Sequence, residues 1–238
     1  MDAKEVSSAL GKVMYACSTK DDAIAAIKGV KLIGDGSHLN FIATDSFRLA
    51  INQIEYPEKI DVTIPKESLQ KTFSIGFDGE LKISVTKNNA VIKCGDYTVY
   101  TRLLEGKFVD HKRVLAGNSH VVKINRLELL ESVQRSQICA DNKLQVPVVF
   151  HGENDKLKIT LKSSLSEFNE TIIMPRIETD SQHFPTKIEI AFNGMFIVEA
   201  LKSFDDDIIE MKYTTEHSPV LFCENKGLTA LVVPVRRK

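Results

Sequence analysis

The chain has 238 residues, of which 43% are apolar, and its formal net charge is −1. This length is enough for two domains of ordinary size, each with its own apolar core. No apolar run approaches the roughly 20 residues that cross a bilayer, and the N-terminus lacks a signal-peptide pattern. We therefore expect a cytoplasmic globular protein that makes no contact with membranes.

The first half begins with apolar residues at helical spacing over residues 5–18, which predict a helix. Two predicted strands, residues 30–33 and 39–43, follow on either side of a Gly34-Asp35-Gly36 hairpin turn. A strand over residues 60–64 then runs into a short helix over residues 66–73, and closing strands end the half.

The second half repeats this order at an offset of about 120 to 128 residues. The repeated elements are a helix over 126–139, strands over 146–150 and 157–161, a strand over 188–192, a helix over 194–203 and closing strands. A repeat of this size indicates a duplicated domain and a function that uses pseudo-symmetry.

A polar, turn-prone segment at residues 115–120 separates the halves, and we place the domain boundary within it. The predicted domains are residues 1–117 and 118–238. Each holds seven or eight short strands and two helices, which predicts an α+β fold with antiparallel sheets and the helices on one face. The polar segment at 174–185 is predicted to be a surface loop.

The four cysteines contain no C-x-x-C pair and fall at equivalent positions of the two halves: Cys17, Cys94, Cys139 and Cys223. Small core residues at duplicated sites explain this pattern better than a metal site or disulfides do. We therefore expect no metal and no cofactor.

The predicted helices are the basic part of the chain. Residues 4–20, 65–73, 122–135 and 193–203 together carry a net charge of +4, whereas the whole chain carries −1. If these helices share a face, their cations form a sequence-independent site for duplex DNA phosphates. The candidates are Lys12, Lys20, Lys66, Lys71, Arg126, Arg135 and Lys202. The alternative is an ordinary solvated helix face.

An enzyme is a competing class. The acidic run Asp205-Asp206-Asp207, with Glu210, has the residue types of a nuclease-like metal site. The run lies between a predicted helix and a predicted strand, however, which favours a solvated turn. The histidines are scattered and the chain has no Gly-rich phosphate loop, so we expect no catalytic residue.

Three segments resemble one family. Residues 41–50, FIATDSFRLA, resemble the A-T-D-x-x-R-L-A segment of the bacterial sliding clamp, the beta subunit of DNA polymerase III. Residues 103–115, LLEGKFVDHKRVL, are similar to that family's L-x-E-G-x-F-P-D-Y-x-R-V-L stretch, and residues 231–236, LVVPVR, stand where the family ends in V-V-M-P-M-R. The order and spacing of the three segments match the family across the whole chain.

The resemblance implies a clamp-domain fold in which antiparallel sheets form the outside of a ring and two helices per domain line the inside. The family has three domains per subunit and closes a six-domain ring as a dimer. This chain resembles the middle and C-terminal domains only. Two-domain clamps reach six domains as trimers, so we expect a homotrimer that encircles double-stranded DNA as a processivity factor. The alternative is that the chain is a fragment of a three-domain clamp.

The resemblance also implies a groove between the two domains that binds short hydrophobic peptides of the replicative DNA polymerase and the clamp loader. Carried over by position, its residues are Ile27, Thr44, Ser46, Phe47, Arg48, Leu49, Val109, Arg113, Val114, Leu231, Val232, Val233, Pro234, Val235 and Arg236. The alternative for Leu49, Val114 and Val232 is plain strand core, and for Arg48 and Arg113 a surface salt bridge.

This chain departs from the family at several of these positions. Phe47 replaces the usual His, Val109 and His111 replace Pro and Tyr, and Val233 and Val235 replace two methionines. Stiff valines adapt less than methionines, which favours a clamp with few partners, such as one from a phage or mobile element. Besides a clamp and an enzyme, a third class of protein fits the sequence: an open decoy or adaptor that binds clamp partners without encircling DNA.

Overall fold

The computed structural model describes residues 1–115, 117, 120–140, 146–174, 184–225 and 227–236, without the side chains of residues 185 and 186. The chain divides into two compact units, a first unit of Met1–Asp110 and a second unit of His111–Lys238. The boundary expected between residues 117 and 118 stays a prediction, because residues 116, 118 and 119 lie outside the described residues. Most of the surface loop predicted at 174–185 also lies outside them.

The first unit contains two α-helices and seven strands among its residues, all of which are described. In chain order these are α1 (Ala3–Gly11), β1 (Gly29–Asp35), β2 (His38–Thr44), β3 (Arg48–Glu55), β4 (Lys59–Pro65), α2 (Lys66–Phe73), β5 (Leu81–Val85), β6 (Asn89–Cys94) and β7 (Tyr97–Arg102). The antiparallel strands form two sheets, in the orders β4-β1-β2-β3 and β5-β6-β7.

The described part of the second unit repeats this plan with eight strands. Its elements are α3 (His111–Leu115), β8 (His120–Asn125), α4 (Arg126–Ile138), β9 (Val148–Asn154), β10 (Lys156–Lys162), β11 (Glu167–Ile173), β12 (Phe184–Phe192), α5 (Gly194–Ser203), β13 (Ile208–Tyr213), β14 (Val220–Cys223) and β15 (Thr229–Val232). The sheets run β12-β9-β10-β11 and β8-β13-β14-β15, all antiparallel. The predicted α+β tandem repeat is confirmed.

Local sequence explains where the helices begin and end. Asp2 caps α1 by accepting hydrogen bonds from the Lys4 and Glu5 backbone N–H groups, at 2.9 and 3.0 Å. The predicted continuous helix over 5–18 is wrong in its second half, since α1 ends at Gly11 and a 3₁₀ turn, Met14–Ala16, follows. Glycine is a poor helix former, and α4, which lacks an internal glycine, continues for 13 residues.

Apolar strand residues form a separate core in each unit. Leu39 and Phe41 of β2 are fully buried in the first unit, and Phe150 and Phe192 pack edge to face in the second with ring centroids 5.0 Å apart. Gly194 at the start of α5 leaves room for the Gln137 side chain of α4; a Cβ there would lie 2.1 Å from the Gln137 side-chain nitrogen.

The prediction that the cysteines are core residues is confirmed for two of them. Cys17 and Cys94 are buried, whereas Cys139 and Cys223 are half-buried, and all four are free thiols. Burial raises the pKa of the Cys17 thiol to about 12, which keeps it protonated and unreactive at neutral pH. Within the described residues, no helix combines the length and the apolarity needed to cross a membrane.

Candidate peptide-binding and nucleic-acid-binding residues

The turn between β2 and β3 presents the Phe47 ring to solvent. The Asp45 carboxylate accepts hydrogen bonds from the Phe47 and Arg48 backbone N–H groups, at 2.9 and 3.0 Å. The Thr44 hydroxyl donates to the Arg48 carbonyl at 2.6 Å, and Ser46 adopts a left-handed backbone with φ of 78°. These bonds fix the turn, and the Phe47 side chain on it is 50% exposed.

Arg48 is a structural residue of this turn. Its Nε donates to the Asp45 carboxylate at 3.0 Å and its Nη2 donates to the Tyr15 carbonyl at 3.0 Å. The guanidinium also lies 5.3 Å from the centre of the Tyr15 ring, and the residue is buried. The Arg48 charge is therefore paired within the first unit, and the side chain supports the turn from beneath.

Lys20, which the sequence analysis assigned to DNA, lies beside a residue assigned to peptide binding. Its Nζ is 5.2 Å from the centre of the Phe47 ring, in the geometry of a cation–π contact. The exposed surface near this turn therefore combines an aromatic ring with a cation. We refer to Lys20 and Phe47 together as the Lys20–Phe47 pair.

The remaining first-unit candidates differ in accessibility. Ile27, Thr44 and Leu49 are buried, whereas Val109 is half-buried and Ser46 is exposed. In the second unit, Arg113 and Val114 lie on α3 and are both exposed. The buried residues pack beneath the surface, and only the accessible residues are able to contact a ligand.

The C-terminal segment closes the second unit and continues as a wall of a pocket. Leu231 and Val232 are buried in β15, opposite Leu221 and Val220 of β14. Beyond β15, the Val235 backbone N–H donates to the Ala191 carbonyl of β12 at 2.8 Å. This bond holds Val233, Pro234, Val235 and Arg236 along β12.

The segment encloses a pocket of 610 Å³, here called the tail pocket. It is lined by Glu189, Ala191, Glu216, His217, Val233, Pro234, Val235 and Arg236. The first four of these were missed by the sequence analysis. They lie on β12 and in the turn between β13 and β14, and no local motif in the sequence connects either segment with the tail.

The cations predicted to contact DNA in the first unit lie on or near its helices. Lys12 follows α1 and is half-buried, Lys66 begins α2 and is half-buried, and Lys71 in the last turn of α2 is exposed. Lys71 also opposes the partial negative charge of the α2 C-terminus. Within the described part of the chain, neither Lys66 nor Lys71 forms an ion pair.

The arginines predicted for the same role in the second unit are bound internally. Arg126 donates from Nε to the Asp206 carbonyl at 2.8 Å and from Nη1 to the Leu201 carbonyl at 3.5 Å. Arg135 forms a two-point ion pair with Glu170 at 2.7 and 3.1 Å, which lowers the pKa of the Glu170 carboxyl. Lys202 at the end of α5 is exposed.

The acidic run at 205–207 forms a turn anchored by Glu224. The Glu224 carboxylate accepts hydrogen bonds from the Asp205 and Asp206 backbone N–H groups, at 2.9 and 3.4 Å. The Asp206 carboxylate accepts another from the Asn225 N–H at 3.0 Å. The run thus organises the α5–β13 connection, and within the described residues no group of three or more His, Cys, Asp or Glu side chains has the geometry of a metal site.

Comparison with known proteins matches both units to one family. The model described as "DNA polymerase III beta subunit, central domain" matches residues 1–110, and the one described as "DNA polymerase III beta subunit, C-terminal domain" matches residues 112–236.

Individual relatives give the same correspondence. The beta sliding clamp of Synechocystis sp. is 26% identical over 97% of this chain and 63% of its own length. That of Staphylococcus aureus strain Mu50 is 25% identical over 99% of this chain and 63% of its own. The crystal structure of the DNA polymerase sliding clamp from Bacillus subtilis superimposes with a TM-score of 0.90 at 22% identity, covering all of this chain and 64% of that one. The chain thus spans about 63% of the length of the curated relatives it matches.

Proposed function

Because the chain belongs to the DNA polymerase III beta subunit family, we propose that it is a sliding clamp, a processivity factor that encircles duplex DNA and tethers replication proteins. One observation carries this proposal: the two family domains follow each other over residues 1–110 and 112–236, in the order that the family uses. A clamp holds DNA topologically, so it needs neither base-specific contacts nor a strong positive charge. The net charge of −1 is compatible with that mode of holding.

We propose that three copies close the ring. With two clamp domains per chain, three chains joined by the same head-to-tail contact make a six-domain ring. An assembly built on such a contact either closes into a ring or grows into a filament. The edge strands of the described sheets include β7 in the first unit and β11 in the second, and we take these two as the contact. Unpaired edges of this kind are sites of strand addition.

Exposed apolar residues near both edges support a contact between copies. Leu165, before β11, and Ile138, at the end of α4, are 89% and 84% exposed. A hydrogen bond of 3.0 Å from the Ser166 hydroxyl to the Cys139 carbonyl joins the two segments that carry them. Beside the other edge, Tyr97 and Tyr100 of β7 are 57% and 75% exposed. Side chains this apolar gain free energy when a neighbouring copy covers them.

Charge also favours pairing β11 with β7 over pairing each edge with itself. Arg102 at the end of β7 and Glu167 at the start of β11 are both exposed. Opposite charges attract across a heterologous contact, whereas a contact of β11 with β11 brings like charges together.

We propose that the basic helices contact the DNA backbone, with the first unit contributing most. Lys66 and Lys71 form no ion pair within the described part of the chain, whereas Arg126 and Arg135 are engaged by protein acceptors. Lys12 and Lys202 complete the set. Lys20 we now assign to the Lys20–Phe47 pair and therefore to the partner site.

We propose that partner peptides of the polymerase and the clamp loader bind to two surfaces. The first-unit surface is the β2–β3 turn with the Lys20–Phe47 pair, and Ile27, Thr44, Arg48 and Leu49 support it. The second-unit surface is the tail pocket, and Val109, Arg113 and Val114 lie on the connection. An apolar base with charged residues at its rim suits a short peptide of mixed character.

Retention on DNA tests the proposal. The protein is loaded on a nicked circular duplex by the cognate loader, and the half-life of the complex is measured before and after the circle is cut. We expect prolonged retention on the circle and rapid loss from the linear product, because a ring slides off a free end. Equal half-lives on both would exclude topological holding and favour an adaptor that binds clamp partners without encircling DNA.

A further inference from the structure

The tail pocket adjoins a second cavity of 690 Å³ beside strands β9, β10 and β12. We call this cavity the sheet pocket; its lining includes His151, Glu153, Lys158 and Lys187. Two residues, Glu189 and Glu216, line both pockets. The two pockets therefore meet at two carboxylate side chains, and we call this place the junction.

The Glu189 carboxylate is held in place by the sheet. Glu189 on β12 lies directly opposite His151 on β9, and His151 Nδ1 is 3.1 Å from a Glu189 carboxylate oxygen. The other ring nitrogen of His151 is 2.9 Å from the Thr160 hydroxyl of β10. Because its neighbours fix the rotamer, Glu189 presents its charge at a defined point of the junction.

Glu216 approaches the junction from the β13–β14 turn. The Thr215 and Ser218 hydroxyls share a hydrogen bond of 2.7 Å that closes this turn on either side of Glu216 and His217. His217 Nε2 lies 3.5 Å from a Glu216 carboxylate oxygen, and the Glu216 side chain is 54% exposed. Glu216 is therefore accessible to a ligand and supplies a second negative charge at the junction.

Cations line both pockets. The sheet pocket is lined by Lys156, Lys158 and Lys187, of which Lys187 is paired with Glu153 at 3.0 Å. Among the described residues that line the tail pocket, Arg236 is the one Lys or Arg, and it is exposed. The lining of the tail pocket thus combines the apolar Val233, Pro234 and Val235 with the carboxylates of Glu189 and Glu216.

On the premise of the proposed function, we propose that Glu189 and Glu216 select partner peptides with a lysine or arginine directly beside the apolar segment. The apolar side chains fill the tail pocket against Val233 and Val235, and the adjoining cation lies between the two carboxylates. Peptides with an acidic residue at that position bind more weakly, because a third negative charge there is repelled. This clamp then discriminates among partners by charge as well as by apolar fit.

The test uses three fluorescein-labelled peptides with the same Leu- and Phe-containing apolar core, flanked on both sides by Lys, Gln or Glu. Dissociation constants are measured by fluorescence anisotropy for the intact protein, for Glu216→Lys and for Glu128→Lys. Glu128 is exposed on α4 and lines neither pocket, so its variant controls for the change in net charge. Thermal melts of all three proteins check that each is folded.

For the intact protein we expect the Lys peptide to bind about fivefold more tightly than the Glu peptide, the size typical of partly exposed charge pairs. Glu216→Lys should abolish or reverse this ratio, and Glu128→Lys should leave it unchanged. High salt should shrink the ratio toward one, because salt screens exposed charges. A ratio near one in the intact protein, or a ratio that Glu216→Lys leaves intact, would overturn the proposal.

The Gln peptide separates this proposal from the one on which it rests. If the Gln peptide binds and charge makes no difference, the peptide site stands and only the charge selection is wrong. If no peptide binds the intact protein, the peptide site itself is wrong and the charge selection falls with it.

Discussion

From α1 and from α4 onward, the two units have the same order of four strands, a helix and three strands, yet they use their charged and exposed residues differently. In the first unit, Lys66 and Lys71 on α2 form no ion pair among the described residues. In the second, Arg126 anchors the acidic turn after α5, and Arg135 is paired with Glu170. The α2 lysines of the first unit are therefore open to ligands, whereas the α4 arginines of the second unit are bound by acceptors of that unit.

The exposed edges differ in a second respect. The β7 edge carries tyrosines and Arg102, whereas the β11 edge carries Glu167 and lies near the aliphatic Ile138 and Leu165. The two edges are not equivalent in the repeat, since by element order β7 corresponds to β15 and β11 to β3. Two unlike edges favour a head-to-tail contact over a two-fold symmetric one.

The largest effect should come from removing the aliphatic residues near the β11 edge. Ile138→Glu combined with Leu165→Glu should reduce the assembly to a single chain, because each change places a charge in an apolar contact. We expect the dissociation constant between copies to rise by at least about a hundredfold, measured by sedimentation equilibrium.

Leu127→Glu is the matched control, since Leu127 is 45% exposed at the opposite end of α4. It should leave the mass unchanged. Assembly that survives the double change would show that the β11 edge is not the contact.

Deletion of residues 234–238 should remove one wall of the tail pocket. The bond between Val235 and Ala191 is lost with it. A buried apolar anchor is worth about 2 kcal/mol or more, so peptide affinity should fall on the order of thirtyfold. Mass and DNA retention should persist, since the tail serves neither in this account. Unchanged peptide affinity in a fluorescence titration would place the partner site elsewhere.

Reversing the charge of cations in the two units should have different effects on DNA retention and on stability. Lys66→Glu with Lys71→Glu should shorten retention on circular DNA about tenfold with little change in melting temperature, because exposed substitutions usually alter stability by under about 0.5 kcal/mol.

Arg126→Glu should instead lower the melting temperature, because it removes the hydrogen bonds to the Asp206 and Leu201 carbonyls. Its retention should shorten only in proportion to the lost folded fraction. The reverse pattern, a stable Arg126 variant with selective loss of DNA binding, would contradict the division between the units.

The smallest effect concerns the Arg135–Glu170 pair. The pair lowers the pKa of Glu170 from its ordinary value of 4.5, so its contribution to stability is present above that value and is lost as pH falls through the lowered pKa. The pair is partly exposed, so Glu170→Gln should cost under about 1 kcal/mol at neutral pH. Urea unfolding measures the free energy of unfolding of each protein. The difference in this free energy between Glu170→Gln and the intact protein should vanish at strongly acidic pH. The control Glu167→Gln should differ little from the intact protein at either pH.

The sequence was sufficient for the repeat, the strand order and most of the elements, because these depend on apolar periodicity and turn residues close together in the chain. It overextended the first helix past Gly11, where one glycine and the following 3₁₀ turn outweigh the apolar spacing. Residue type alone also treated Arg126 and Lys71 as equivalent cations. Their difference depends on carbonyls about 80 residues away, which no local pattern contains.

The residues of the partner site stay a prediction, because they follow from segments that resemble the family and not from apolar periodicity. The Lys20–Phe47 pair and the acidic lining from Glu189 and Glu216 required the fold, since each joins segments distant in the chain.

The central claim, that two-domain chains close into a ring, is tested most directly by mass in solution. Light scattering across a dilution series should give three times the 26.6 kDa chain mass, with dissociation only at low concentration. A strict monomer at tens of micromolar would contradict the ring and favour an open adaptor. A mass that keeps growing with concentration would show that the head-to-tail contact does not close.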